Sequence, residues 1–150
     1  MLKKMLTKEY ISVGCRAKTW QESIKIAGNI LVENGNVTSE YVDAMIKVVN
    51  EFGPYIVLCK GVAFGHARPE NGVLKPGISL AILEEGVEFG HESNDPVKVV
   101  FAFAGKDHTS HIEMLQNIVT LLDDEESYNG LMNSKVDQDV IKLVKAIINQ

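Results

Sequence analysis

Apolar positions recur along this chain with two periods, helical in the first and last thirds and strand-like between them. Residues 11–17 read as a first strand. Thr19, followed three residues later by Glu22, forms a capping box. It opens a helix with Trp20, Ile24, Ala27 and Leu31 on one face and an end near Gly35. A second helix starts at Thr38 or Ser39, turns Tyr41, Met45, Val48 and Phe52 inward, and stops at Gly53-Pro54, because the residue before a proline is biased away from helix.

From Tyr55 the texture changes. Residues 55–59, 78–83 and 97–104 are short apolar runs bounded by Gly, Pro, Asn or Asp, the signature of strands. Val99-Val100-Phe101-Ala102-Phe103-Ala104 has no polar break, which implies a strand covered on both faces and helices on either side of the sheet. Residues 110–122 return to the helical period, with Ile112, Leu115, Ile118, Val119 and Leu122 on one stripe and Ser110 and Glu113 as a second capping box. A short helix over 124–132 and a terminal one over 137–148, apolar at Val140, Ile141, Val144 and Ile148, complete the reading. The expected fold class is α/β, a three-layer α/β/α sandwich.

At 150 residues and 45% hydrophobic, the chain suffices for one sizeable core, so residues 1–150 are expected to form a single domain. A net charge of -5 provides no basic stripe for a nucleic acid. No apolar run approaches a membrane span, and the lysines near Met1 precede no signal-like apolar stretch, so a cytoplasmic protein is expected. Cys15 and Cys59 have no CxxC partner and are expected to be buried thiols.

Four histidines remain to carry chemistry. His66 sits in Gly61-Val62-Ala63-Phe64-Gly65-His66-Ala67-Arg68-Pro69, a small-residue turn after a β-rich run. The glycines allow a sharp turn and close approach of a partner, while Pro69 stiffens the exit. Such a setting suits an imidazole nucleophile. Arg68 adds a planar, permanently charged donor for phosphate oxygens, against the alternative of a surface arginine or a bridge to Glu70. His111, near a helix amino terminus, brings N–H groups and a positive dipole end. His91 belongs to a polar loop. Asp107, His108 and His111 form a weaker, competing metal constellation without HExxH spacing; no metal and no cofactor are expected. There is no GxxxxGK[ST] run or nucleotide fingerprint either.

The segment from Gly61 to Ala67, with His111-Ile112-Glu113-Met114-Leu115 further on, resembles the enzyme IIA domain of the bacterial sugar phosphotransferase system, mannitol/fructose class. The resemblance covers essentially the whole chain. Phe52-Gly53-Pro54-Tyr55, His66-Ala67-Arg68-Pro69-Glu70, Gly72-Val73-Leu74-Lys75-Pro76-Gly77 and Asn94-Asp95-Pro96-Val97 look most like the ascorbate-type branch. The resemblance implies a mixed sheet and a relay in which the phosphocarrier HPr phosphorylates His66. Phospho-His66 then passes the group to a cysteine of a cognate enzyme IIB, while membrane IIC carries the sugar. It implies that His111 is the second active-site histidine, and it leaves a homodimer open. The same fold also serves as a regulatory domain, in which the phosphorylation state of His66 controls a partner.

Two departures from the family pattern stand out. Gly65 replaces the usual proline before the histidine, and Asn50, beside Glu51, stands where many members carry an arginine. Arg68 is therefore expected to supply the cation. A shallow apolar ring around His66 is expected to receive the partners, with Phe64 and Met114 as candidates against the alternative that they belong to the core, the better reading for Met114; the acidic excess could steer a basic partner.

Overall fold

The computed structural model describes residues 2–148. Its elements are α1 (Leu2–Met5), β1 (Ile11–Cys15), α2 (Trp20–Glu33), α3 (Ser39–Phe52), β2 (Val57–Cys59), β3 (Val62–Gly65), β4 (Gly77–Val87), β5 (Val97–Ala104), α4 (His108–Asp123), α5 (Glu125–Met132) and α6 (Asp137–Ile148). The strands form a sheet of order β1-β4-β5-β3-β2. β1 runs parallel to β4 and β3 parallel to β5, while β4–β5 and β2–β3 are antiparallel, so the sheet is mixed.

Strand alternation sorts the side chains into two cores. Ala63, Ala81, Val100, Ala102 and Ala104 face α2 and α3. Phe64, Leu80, Val99, Phe101 and Phe103 face α4, α5 and α6. Small residues let α2 lie close to its side of the sheet, where the buried Ser79 hydroxyl donates to the Ala27 carbonyl at 2.6 Å. The larger residues fill the space under the other helical layer. Every residue of β5 except Lys98 is buried, in accord with its unbroken apolar run. The three-layer sandwich follows.

At α2, Thr19 accepts from the Glu22 N–H at 3.2 Å, while Glu22 reaches back to the Lys18 N–H at 2.6 Å, one residue before the cap. Several expectations are displaced. Residues 2–5 form a short helix that the lysines near Met1 do not announce. The expected strand over 55–59 begins only at Val57, and a separate strand, β3, occupies Val62–Gly65 in what reads as a turn. The turn lies at Gly61, whose φ of 80° is left-handed, whereas Gly65 is a buried strand residue without positive φ. α4 is capped by Asp107 instead of Ser110, and it buries Met114, Ile118 and Leu121. Ile112 and Val119 face outward, because the sheet chooses between two neighbouring apolar stripes. Phe52 is 72% exposed at the end of α3. Val140 and Val144 are buried; the Ile148 side chain lies outside the described residues.

Candidate functional site

The parallel pairing of β3 with β5 brings their carboxyl ends to the same edge of the sheet. His66 follows β3 directly. β5 runs through Gly105 and Lys106 to Asp107, the cap of α4, and His111 lies one turn into that helix. Two histidines distant in sequence thus meet, with ring centroids 4.6 Å apart.

Their footing is aromatic. Phe64 lies two residues before His66 and shares its face of the strand, with centroids 5.4 Å from His66 and 5.7 Å from His111. Phe103 stacks on Phe64 at 5.9 Å and reaches to 6.1 Å from His111. Tyr55 meets the His66 ring edge-on at 6.0 Å. The two candidates for a partner-facing ring, Phe64 and Met114, are both buried beneath it, which is the core alternative, and for Met114 the preferred one. The exposed apolar side chains nearby are Phe52, Tyr55 and Ile112.

His66 Nδ1 lies 3.0 Å from the Phe64 carbonyl oxygen. A carbonyl only accepts, so this bond places the ring proton on Nδ1 and leaves a lone pair on Nε2. Burial pushes the His66 pKa below its ordinary value, although the carbonyl bond pulls the other way. His111 is lowered too, by burial first and then by the neighbouring His66 and His108. Both rings are therefore neutral at pH 7, and a neutral ring can attack.

An open depression of about 430 Å³ is lined by both histidines together with Arg68, Tyr55, Phe52 and His108. Arg68 is exposed and precedes a 3₁₀ turn over Pro69–Asn71. The ion pairs among the described residues, Arg16–Glu84 and Lys47–Glu51, leave it without a carboxylate partner, so the alternative bridge to Glu70 is not formed. Asn50 is exposed on α3 and does not line the depression.

The amino terminus of α4 differs from the expectation. Asp107 Oδ1 accepts from the Ser110 N–H at 2.8 Å, and the His111 N–H donates to the Asp107 carbonyl at 3.2 Å. Both groups are already used. His111 thus contributes its ring, not its backbone, and the Asp107 carboxyl is held below its usual pKa by the Ser110 bonds. That capping role engages the carboxylate of the competing metal constellation. Among the described residues no group of three histidine, cysteine or acidic side chains could hold a metal ion.

Residues outside the site settle into other roles. His91 is half-buried rather than merely solvated, and its Nδ1 accepts from the Ser93 and Asn94 N–H groups. Cys15 and Cys59 are free and only half-buried; burial and then Asp123 push the Cys59 thiol up, away from thiolate chemistry. Sequence reasoning placed Tyr41 inward but missed its hydroxyl, which bridges two backbone segments at the site. The available signal was chemical: a tyrosine on a buried helix face needs a partner for its O–H.

An α/β sandwich with a neutral imidazole pair and an unpaired guanidinium at one open sheet edge belongs to the class of proteins equipped to hold an anionic group. Known proteins narrow that class. The family described as "Phosphoenolpyruvate-dependent sugar phosphotransferase system, EIIA 2" matches residues 4–147. The ascorbate-specific PTS system EIIA component of Escherichia coli (strain K12) is 39% identical over 135 residues, covering 89% of this chain and 88% of that protein. The mannitol-specific cryptic phosphotransferase enzyme IIA CmtB from Escherichia coli superposes with a TM-score of 0.87 at 34% identity, over 97% of this chain and 98% of that one. IIA of the mannitol system from Escherichia coli, solved in complex with phosphorylated IIB, gives a TM-score of 0.83 at 30% identity over 95% and 99%. The chain belongs to the EIIA type 2 family of the sugar phosphotransferase system. It is a phosphotransferase component that relays phosphoryl groups in sugar uptake. Among the described residues no helix is long and apolar enough to cross a membrane.

Proposed function

We propose that His66 is the phosphoryl carrier: it accepts the group at Nε2 from phospho-HPr and passes it to a cysteine of a cognate IIB. The observation that carries this reading is the Nδ1 bond to the Phe64 carbonyl, which frees the Nε2 lone pair on a residue lining the open depression. In the first step a P–Nε2 bond forms as the donor's bond to phosphorus breaks, and that electron pair stays with the donor. In the second, the cysteine sulfur attacks phosphorus and the P–Nε2 pair returns to His66. Such transfer asks a protein chiefly for in-line positioning and charge neutralisation. His111 and Arg68 provide the neutralisation, and no metal or cofactor takes part.

Phe52, Tyr55 and Ile112, exposed near the histidines, supply the apolar contact for partners that must also leave. Ascorbate is the proposed cargo, from the name of the relative at 39% identity, with membrane IIC moving it and this chain acting in the cytoplasm as one domain. Incubation with enzyme I, HPr and phosphoenolpyruvate should add about 80 Da to the wild type and nothing to His66→Gln. A wild type that never gains this mass overturns the reading. Transfer from the phosphorylated chain to a panel of purified IIB proteins identifies the acceptor.

A further inference from the structure

We infer that Tyr41 is a positioning residue for the transfer reaction, acting on His66 through the backbone from the α3 side of the depression that it helps to line. Tyr41 is fully buried in α3, among the residues on the α2–α3 side of the sheet. The histidines lie on the other face, over Phe64 and Phe103. The Tyr41 hydroxyl donates to the Phe103 carbonyl at 2.6 Å and accepts the Ala67 N–H at 3.0 Å. One oxygen therefore holds the residue after His66 and the end of β5, the strand that leads to α4.

The place of this bridge in the fold gives it its role. The parallel pairing of β3 with β5 ends at Gly65 opposite Ala102. Ala67 and Phe103 lie just past that point, where the strands part to open the depression. Phe103 still pairs with Ile78 of β4, but on the β3 side the ladder has ended, and a buried N–H or C=O left unpaired there is costly. The hydroxyl stands in for the missing rung. It closes the gap at a fixed width, so the backbone on both sides of the site is tied to one rigid ring. Burial pushes its pKa up to about 12, so the proton stays on the oxygen and the donor–acceptor arrangement holds across the working pH range.

The consequence for His66 is geometric. Its imidazole is fixed at one end by the Phe64 carbonyl and through its own backbone by Ala67. Without the hydroxyl, Ala67 is released and the ring loses the alignment that in-line attack requires. Misplacement of a reacting group by about 1 Å costs roughly a hundredfold in rate, and a partial release should cost roughly tenfold.

This inference rests on His66 being the carrier, and the test separates the two. Tyr41→Phe keeps the ring and removes the bridge. The expected result is a folded variant whose phosphorylation by saturating phospho-HPr is about tenfold slower while its KM for HPr is unchanged. Imidazole ¹⁵N NMR should show His66 moving from a single Nδ1–H form toward a mixture of tautomers. A folded variant with wild-type rate and a wild-type His66 spectrum overturns the inference. Should the wild type gain no phosphate on His66, the carrier reading fails, and the tautomer comparison still decides what Tyr41 does to the ring. If Tyr41→Phe does not fold, hydrogen exchange in the wild type decides: a protected Ala67 amide is expected, and one exchanging at the free rate overturns the bridge.

Discussion

His66 and His111 face each other with ring centroids 4.6 Å apart and planes inclined by 49°. Two positive imidazolium rings at that spacing repel, and burial opposes either charge, so the resting pair is uncharged. A phosphoryl group on His66 reverses the balance, because about two negative charges then lie beside His111 and favour its protonated form. His111→Gln should therefore still accept phosphate, but roughly tenfold or more slowly. Rapid-quench phosphorylation measures it; an unchanged rate removes His111 from the mechanism.

Acid should destabilise the protein in a definite window. Both site histidines have pKa values lowered below the ordinary value of about 6.5. The unfolded chain takes up protons first as pH falls below that value, so stability is fully present above about 6.5 and declines down through the lowered values. Urea midpoints between pH 8 and pH 5 should fall more steeply for the wild type than for the His66→Gln, His111→Gln double variant. Parallel slopes would contradict the assignment.

Arg68 is free to meet an anion, having no carboxylate partner among the described residues. Its exposure means that its charge is screened by salt. Arg68→Ala should slow phosphorylation several-fold at low ionic strength and less at high, with thermal stability unchanged. A rate equal to the wild type at low salt shows that the cation comes from elsewhere.

Gly61 sets the turn into β3 with a φ of 80°. Its N–H donates to Asn94 O at 2.9 Å, and its carbonyl accepts from Lys98 N at 2.9 Å. Alanine there carries a Cβ 2.8 Å from the Met132 methyl, a flexible neighbour, so the main cost is the left-handed backbone. Gly61→Ala should lower unfolding free energy by about 1–2 kcal/mol, as chemical denaturation would show.

Phe52 is 72% exposed, so removing it takes little from the core. Phe52→Ser should leave the melting temperature within about 2 °C of wild type and raise KM for HPr or IIB several-fold. Steady-state transfer kinetics with each partner would reveal whether both use this side of the depression.

Much of the sandwich was legible because β5 is apolar throughout and because Thr19 and the Gly53-Pro54 stop frame the first helices. β3 was not. It has four residues, ends in glycine, and owes its strand character to β5, a partner far along the chain. In α4 the stripes through Ile112 and through Met114 are almost equally apolar, and only the sheet decides between them. His66, His111 and Arg68 could be picked out by residue type and resemblance, and the fold gathers all three around one depression. Tyr41 could not, since its partners are backbone atoms of two strand ends that local patterning does not connect.

Asp107 caps α4 with a carboxylate on the rim of the depression. A carrier that cradled phosphate in a fully open helix terminus would become a sink, with the group too comfortable to leave. Here the capping carboxylate occupies part of that cradle and adds repulsion of its own. With His66 as the proposed carrier, that repulsion would loosen the hold of the helix terminus on a phosphoryl group, so a residue that looks like simple helix punctuation would favour onward transfer over storage.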